Sequence, residues 1–223
     1  MHITEQLLNN TIRIEAVINK TQIKTGSGMF FYLKTNLPKE ISVIITNKHV
    51  VEGAKEIRLF FKKEKDNEPD YNSLQIVSIP NDSLHVVKHP NKDIDLVAIP
   101  VDHIYYELSK KNIKLYTISL NEDVIFDDSE IKKELKPIEK VWMIGYPNGL
   151  WDKKNNLPIT REGITATSPY LDFNGKKSFL VDIAAFPGSS GSPLVYFRDL
   201  YTDKETYQAK MGTKLFFLGI LSS

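Results

Sequence analysis

The 223-residue chain contains no cysteine. Disulfides, zinc–thiolate sites and thiol nucleophiles are therefore excluded from its chemistry. It also has almost no net charge: 29 Lys and Arg against 28 Asp and Glu leave +1. With no global basic field, no nucleic-acid partner is expected. No apolar run reaches the length of a membrane span, so no membrane partner is expected either. The first twenty residues, MHITEQLLNNTIRIEAVINK, interleave polar and charged groups and lack the apolar core of a signal peptide. These absences lead to the expectation of a soluble, cytoplasmic protein. No repeat of fixed period and no low-complexity tract is visible.

What is present is the composition of a globular domain, 41% hydrophobic and 26% charged. The length suits one large all-β domain or two small ones sharing a core. Ile3, Leu7, Leu8, Ile12 and Ile14 come near helical spacing and predict a short amphipathic helix, within an N-terminal arm of residues 1–20. Short β-prone runs follow, separated by turn signals: Met29 to Leu33, Ile41 to Ile45, Glu56 to Phe61, Leu74 to Ile79, Leu84 to Val87 and Leu96 to Ile99. Asn36 to Lys39 reads as a turn, and Lys62 to Asp70 (KKEKDNEPD) as a solvated loop. Residues 106–137 lose the pattern and read as a crossover, with a helical turn near Glu130 to Leu135. Strand-like runs resume at Val141 to Ile144, Ile159 to Thr167, Phe179 to Ile183, Ser192 to Phe197 and Leu215 to Leu221. The expectation is an all-β fold, with one β unit over 21–105 and another over 138–223.

The chemistry is concentrated around Phe186-Pro187-Gly188-Ser189-Ser190-Gly191-Ser192-Pro193-Leu194-Val195. Gly188 and Gly191 allow a tight turn with φ > 0. Such a turn can aim the amides of Gly188 and Ser190 at one point, as an oxyanion hole requires. It is not a Gly-x-Ser-x-Gly elbow, because Ser192 occupies the last position. By itself a Gly/Ser/Pro cluster is usually an ordinary turn. A histidine such as His49, at the end of an apolar run, is more often structural. An acid such as Asp95, just before a buried strand, is usually a turn or cap residue. Their chain order changes the balance. His49, Asp95 and Ser190 follow the order His, Asp, Ser. A serine hydroxyl is a weak nucleophile and needs an imidazole to take its proton. The imidazole in turn needs a carboxylate to hold its tautomer. Asp93 and Asp95 share a strand face. Asp95 is the expected partner, since otherwise it would be an unpaired charge among Ile94, Leu96 and Val97.

Thr46-Asn47-Lys48-His49-Val50-Val51, Asp95-Leu96-Val97-Ala98-Ile99 and Asp182 to Val195 resemble, in order, the histidine, aspartate and serine segments of trypsin-like serine peptidases. The resemblance is nearer to bacterial HtrA-like domains than to the disulfide-bonded digestive enzymes. Gly26-Ser27-Gly28, Ile144 to Gly149 and Gly163-Ile164-Thr165-Ala166 are softer matches, so the likeness covers roughly residues 23–221. It implies two antiparallel β-barrels with the active site in the cleft between them. His49 and Asp95 would come from the first barrel and Ser190 from the second. It also implies oxyanion donors at Gly188 and Ser190, a specificity pocket lined by Ala184, Ala185, Phe186 and Ser222, and no cofactor or metal. The implied activity is a serine endopeptidase acting on protein or peptide substrates. The alternative is a catalytically inactive fold that grips peptides.

Ala184, at the base of the implied pocket, offers no carboxylate for a Lys or Arg side chain. A small or medium apolar residue on the acyl side of the cut is therefore expected, with Asp182 the nearest acid that could reach in. Two departures from the family stand at Ser189, where an acid or asparagine is common, and at Ser192, where glycine is common. Without an acid at 189, the zymogen switch of the digestive enzymes cannot operate. A regulatory domain or partner protein is expected to supply control instead. Phe217 to Ser223 resembles a cleft-bordering strand after which the family's chain continues, so a continuation beyond Ser223 is expected.

Overall fold

The structure, a computed structural model, describes residues 2–35, 40–147, 150–202 and 209–222, without the side chains of 199–202 and 209–212. The expected turn at Asn36 to Lys39, the softer match at Asn148 and Gly149, and Ser223 lie outside the described residues.

The helix expected over residues 3–15 stops early. α1 spans Ile3–Asn10, and β1 follows directly over Thr11–Val17. Ile12, Ile14 and Ala16 recur every second residue and all enter one core, which is the period of a strand. The spacing of Ile3, Leu7 and Leu8 is helical, but it ends where this alternation begins. Residues 1–20 are thus more than an arm, because β1 lies within the first sheet. It pairs with β2 (Ile23–Leu33), Thr11 opposite Met29, and with β4 (Glu56–Lys65), Arg13 opposite Phe60. Asn10 holds the joint, its Nδ2 donating to Phe30 O at 2.6 Å and Ile118 O at 2.9 Å.

The first sheet runs in the order β5 (Glu68–Pro80), β4, β1, β2, β3 (Ile41–Thr46), β7 (Val97–Pro100), β6 (Val87–Lys88), with β8 (Leu115–Tyr116) beside β4. Its interior is filled by Ile12, Ile14, Ile44, Ile57, Leu59, Phe61 and Ile99. Each such side chain contributes about 2 kcal/mol by leaving water. The solvated loop expected at Lys62 to Asp70 is instead a hairpin. β4 runs on to Lys65 and β5 starts at Glu68, with Asp66 and Asn67 turning at φ 55° and 63°. Charge conceals a strand here because one face of the hairpin is solvated, whereas Lys62 is only 6% exposed. The run from Leu84 to Val87 shrinks to the two residues of β6.

The second sheet has the order β11 (Val181–Asp182), β10 (Ile159–Thr165), β9 (Lys140–Gly145), β12 (Pro193–Thr202), β13 (Ala209–Ile220). Val141, Met143 and Leu194 form its core with Val181, Ile183, Leu218 and Leu221. The crossover between the sheets carries α3 (Asp102–Ser109), β8 and α4 (Asp128–Glu134). Asp102 ties α3 to β3 by accepting from Ser42 N and Ser42 Oγ, both at 3.1 Å. A further cluster straddles the two sheets, joining Met29, Phe31 and Val43 to Ile144 and Val195. Trp151, from the loop after β9, covers the guanidinium of Arg13 on β1. Apolar packing and a cation–π contact thus both cross the seam between the sheets.

Candidate active site

The apolar strand β3 ends at Thr46, and Asn47 stands just before a single helical turn, α2 (Lys48–Val51), that carries His49. The histidine expected at a strand end thus stands one turn beyond it. Asp95 lies in the loop two residues before β7. Its position is set by Asn47 Nδ2, which donates to Asp95 O at 2.8 Å. The carboxylate meets His49 twice: Oδ2 lies 2.5 Å from His49 Nδ1, and Oδ1 accepts the His49 backbone N–H at 3.2 Å. Ser222 Oγ donates to the same Oδ2 at 3.1 Å. Asp93, the competing acid, stays exposed in the preceding turn, where its N–H donates to Asn91 Oδ1.

Partial burial pushes the Asp95 carboxyl up, but the hydrogen bonds from the His49 ring and backbone, the charge of His49 and the Ser222 hydroxyl outweigh it. The net effect holds Asp95 below the ordinary carboxylate range. The pair is reachable from solvent, with side chains 43% exposed for His49 and 31% for Asp95.

The second sheet supplies the serine. The turn 186–192 closes on itself: Ser189 N donates to Phe186 O at 2.9 Å, Phe186 N to Ser189 Oγ at 3.1 Å, and Ser192 N to Ser189 O at 3.0 Å. Ser189 is buried, and its hydroxyl braces the turn from within. Gly188 and Gly191 take φ of +92° and +86°, which a side chain would strain. At Gly191 space is also short: a Cβ there would lie 1.8 Å from Ser27 O and 2.5 Å from Thr46 Oγ1.

Ser27 of β2 pins this turn to the first sheet. Its N–H donates to Ser190 O at 2.8 Å and its Oγ to Gly188 O at 3.1 Å, while it accepts Tyr146 N at 2.9 Å. Thr46 Oγ1 donates to Ser27 O at 2.7 Å. The turn bearing Ser190 therefore rests against Thr46, three residues before His49. From the other side, Gly191 N donates to Leu221 O at 3.0 Å, next to the Ser222 that reaches Asp95. Among the described residues no hydrogen bond engages the Gly188 N–H, although the residue is buried. That is the condition of an amide held ready for an oxyanion.

Ala184, Ala185 and Phe186 are exposed along the segment leading into the turn, as is Ser222 opposite. Asp182 is exposed on β11. Three supporting residues escaped the sequence reading: Ser27 as a clip between sheets, Asn47 as the anchor of the aspartate loop, and Arg161, whose guanidinium stacks over Phe186 at 4.9 Å. Ser27 and Asn47 stood in motifs the sequence showed, Gly26-Ser27-Gly28 and Thr46-Asn47-Lys48-His49, but neither motif says what the side chain touches.

Comparison with solved structures returns the two-barrel chymotrypsin-like architecture. A serine endoprotease from Yersinia pestis superposes with a TM-score of 0.50 at 18% identity, covering 96% of this chain and 60% of that one. The protein described as Deg5 matches with a TM-score of 0.49 at 16% identity, over 86% of this chain and 76% of that one. Comparison with curated proteins finds no match. The family model of the trypsin-like peptidase domain matches residues 26–199, from the Gly26-Ser27-Gly28 strand past the serine turn. That span is most of the chain, and the protein belongs to the trypsin-like peptidase domain family.

Proposed function

We propose that this protein is a serine endopeptidase that works through an acyl-enzyme on Ser190. Ser190 Oγ attacks the scissile carbonyl as His49 Nε2 takes its proton. Asp95 holds the Nδ1–H of His49, fixes its tautomer and stabilises the imidazolium. Charge developing on the carbonyl oxygen is met by the amides of Gly188 and Ser190. His49 then protonates the departing amine, and a water activated by the same ring releases the acyl group. The substrate is a protein or peptide, and the step needs no cofactor.

The observation that carries this reading is the 2.5 Å contact of His49 Nδ1 with Asp95 Oδ2, made where the serine turn is clipped against the same strand ends. A purely structural histidine would not need a carboxylate on one nitrogen and solvent on its other edge. A fluorophosphonate probe followed by intact-protein mass spectrometry tests it. One adduct is expected on the wild-type chain and none on Ser190→Ala. A folded wild-type chain that takes no label would leave the fold as a peptide-binding module.

A further inference from the structure

The chain has four arginines, and three of them face a carboxylate. Arg13 pairs with Glu15, Arg58 with Glu56 and Arg198 with Glu139. Arg161 has no such partner among the described residues. Its strand neighbour Glu162 is turned to the other face and pairs with Lys140 at 2.9 Å. Arg161 Nε is buried and donates to nothing among the described residues. That nitrogen has given up water without receiving an acceptor, and such a group is costly unless something completes it.

Its location indicates what the acceptor is. Arg161 sits opposite Met143 on β9, so its side chain leaves the sheet on the face of Met143, Val141 and Leu194, towards the core of the second barrel. Strand β11 crosses the end of that face with Ile164 opposite Asp182 and Thr165 opposite Val181. Continuing that antiparallel register sets residue 161 across from residue 185. The guanidinium accordingly lies over the ring of Phe186, the residue bonded in both directions to Ser189 of the serine turn. Arg161 is thus a half-buried cation facing the segment 184–186, immediately before the candidate nucleophile.

We propose that Arg161 is a specificity-determining residue and that the favoured substrate carries a carboxylate side chain, glutamate or aspartate, on the acyl side of the cleaved bond. This rests on the peptidase reading above. Ala184 offers no carboxylate to lysine or arginine, and the apolar preference expected from that alanine alone takes no account of a cation reaching in from β10. A substrate carboxylate would give Arg161 the charge-assisted hydrogen bonds it lacks, while Phe186 holds the guanidinium plane in place.

The test uses two peptides that are identical except that one ends in Glu and the other in Gln. Each is titrated by calorimetry into the full chain carrying Ser190→Ala. Both peptides bear the same terminal carboxylate, so the difference reads the side chain alone. The Glu peptide is expected to bind about tenfold more tightly, the scale of one charge-assisted hydrogen bond over a neutral one. Adding Arg161→Gln should bring the ratio to about one. Arg161→Lys should leave part of it, since a lysine keeps the charge but loses the planar fork. Equal binding of the two peptides, no binding of either, or a ratio unchanged by Arg161→Gln would overturn the proposal. Should Arg161→Gln fail to fold by circular dichroism, the wild-type ratio and the lysine variant decide. Probe labelling of Ser190 without Glu preference sinks only this inference. Glu preference without labelling sinks the peptidase reading and leaves Arg161 as a carboxylate-binding residue of a peptide-binding cleft.

Discussion

The two barrels divide the candidate site unequally. The first holds its share, His49 and Asp95, chiefly by contacts among its own elements, the ring and backbone of His49 on the carboxylate and Asn47 on the aspartate loop, with one hydroxyl, Ser222 Oγ beyond β13, reaching in from the second barrel. Behind them stands the larger core, built from β1, β3, β4 and β7. The second barrel holds Ser190 on a turn that has two left-handed glycines and is anchored both within its own barrel, where Gly191 N donates to Leu221 O, and outside it. Ser27 of the first barrel takes both Gly188 O and Ser190 O. The His49–Asp95 pair is thus held mostly from within its own barrel, whereas the Ser190 turn is held from both. A site assembled this way depends on the seam as much as on either core.

Substitutions can break or sharpen that contrast. The largest effect is expected at Ser190 and His49, one from each barrel. Ser190→Ala and His49→Ala should each lower kcat by on the order of 10⁶, and the double variant should be no worse, because members of such a unit do not act additively. Steady-state cleavage of a quenched peptide measures both. Asp95→Asn should cost on the order of 10⁴ through the wrong histidine tautomer, while Asp93→Asn should leave turnover nearly unchanged. The reverse pattern would reassign the acid.

The pH dependence of Asp95 follows from its lowered pKa. The folded value lies below the unfolded one, so the stability it contributes is whole above the ordinary carboxylate range, about 3.9. It is lost as pH falls through the folded value. Urea midpoints of wild type and Asp95→Asn should therefore differ at neutral pH and draw together in acid.

Ser27→Ala probes the seam directly. It removes the donor to Gly188 O and the acceptor for Tyr146 N, both buried. A loss of about 1–3 kcal/mol in unfolding free energy is expected. Labelling of Ser190 should slow about tenfold while the His49–Asp95 pair stays intact. Unchanged labelling would show that the second barrel aligns its own turn.

The smallest effect on turnover, none, is expected at Lys62, buried on β4 of the first barrel. Burial pushes its ammonium down to about 8. Between there and the unfolded value of about 10.4 the unfolded chain binds more protons, so stability should rise with pH over that window. Lys62→Met should abolish the rise and stabilise the protein at pH 7 by up to about 3 kcal/mol, with kcat unchanged. Chemical denaturation across pH 7 to 10.5 reads the slope.

Much of the fold was legible because its strands carry their own signal. Ile41 to Ile45 and Val141 to Ile144 are apolar runs that only a buried strand accommodates, and β3 and β9 lie there. The errors fell where two patterns overlap. Ile12 and Ile14 continue an apolar series that serves helix and strand alike, and only pairing with β2 and β4 decides for the strand. Lys62 to Asp70 reads as solvated because hairpin charges and loop charges look the same until a partner strand is present.

At the site, the residue types, their chain order and the need for glycine at 188 and 191 belong to the sequence, since each follows from local conformation or side-chain chemistry. The choice of Asp95 over Asp93 was also legible there, as the acid that would otherwise be an unpaired charge among apolar neighbours; tertiary structure alone decided that Ser27 clips the serine turn to the first barrel and that Arg161 lies over Phe186 without a carboxylate among the described residues. The reason is one of length scale. A hydrogen bond requires placement within a few tenths of an ångström. For residues as far apart in sequence as 27 and 188, only strand register and the packing of two cores against each other set that distance.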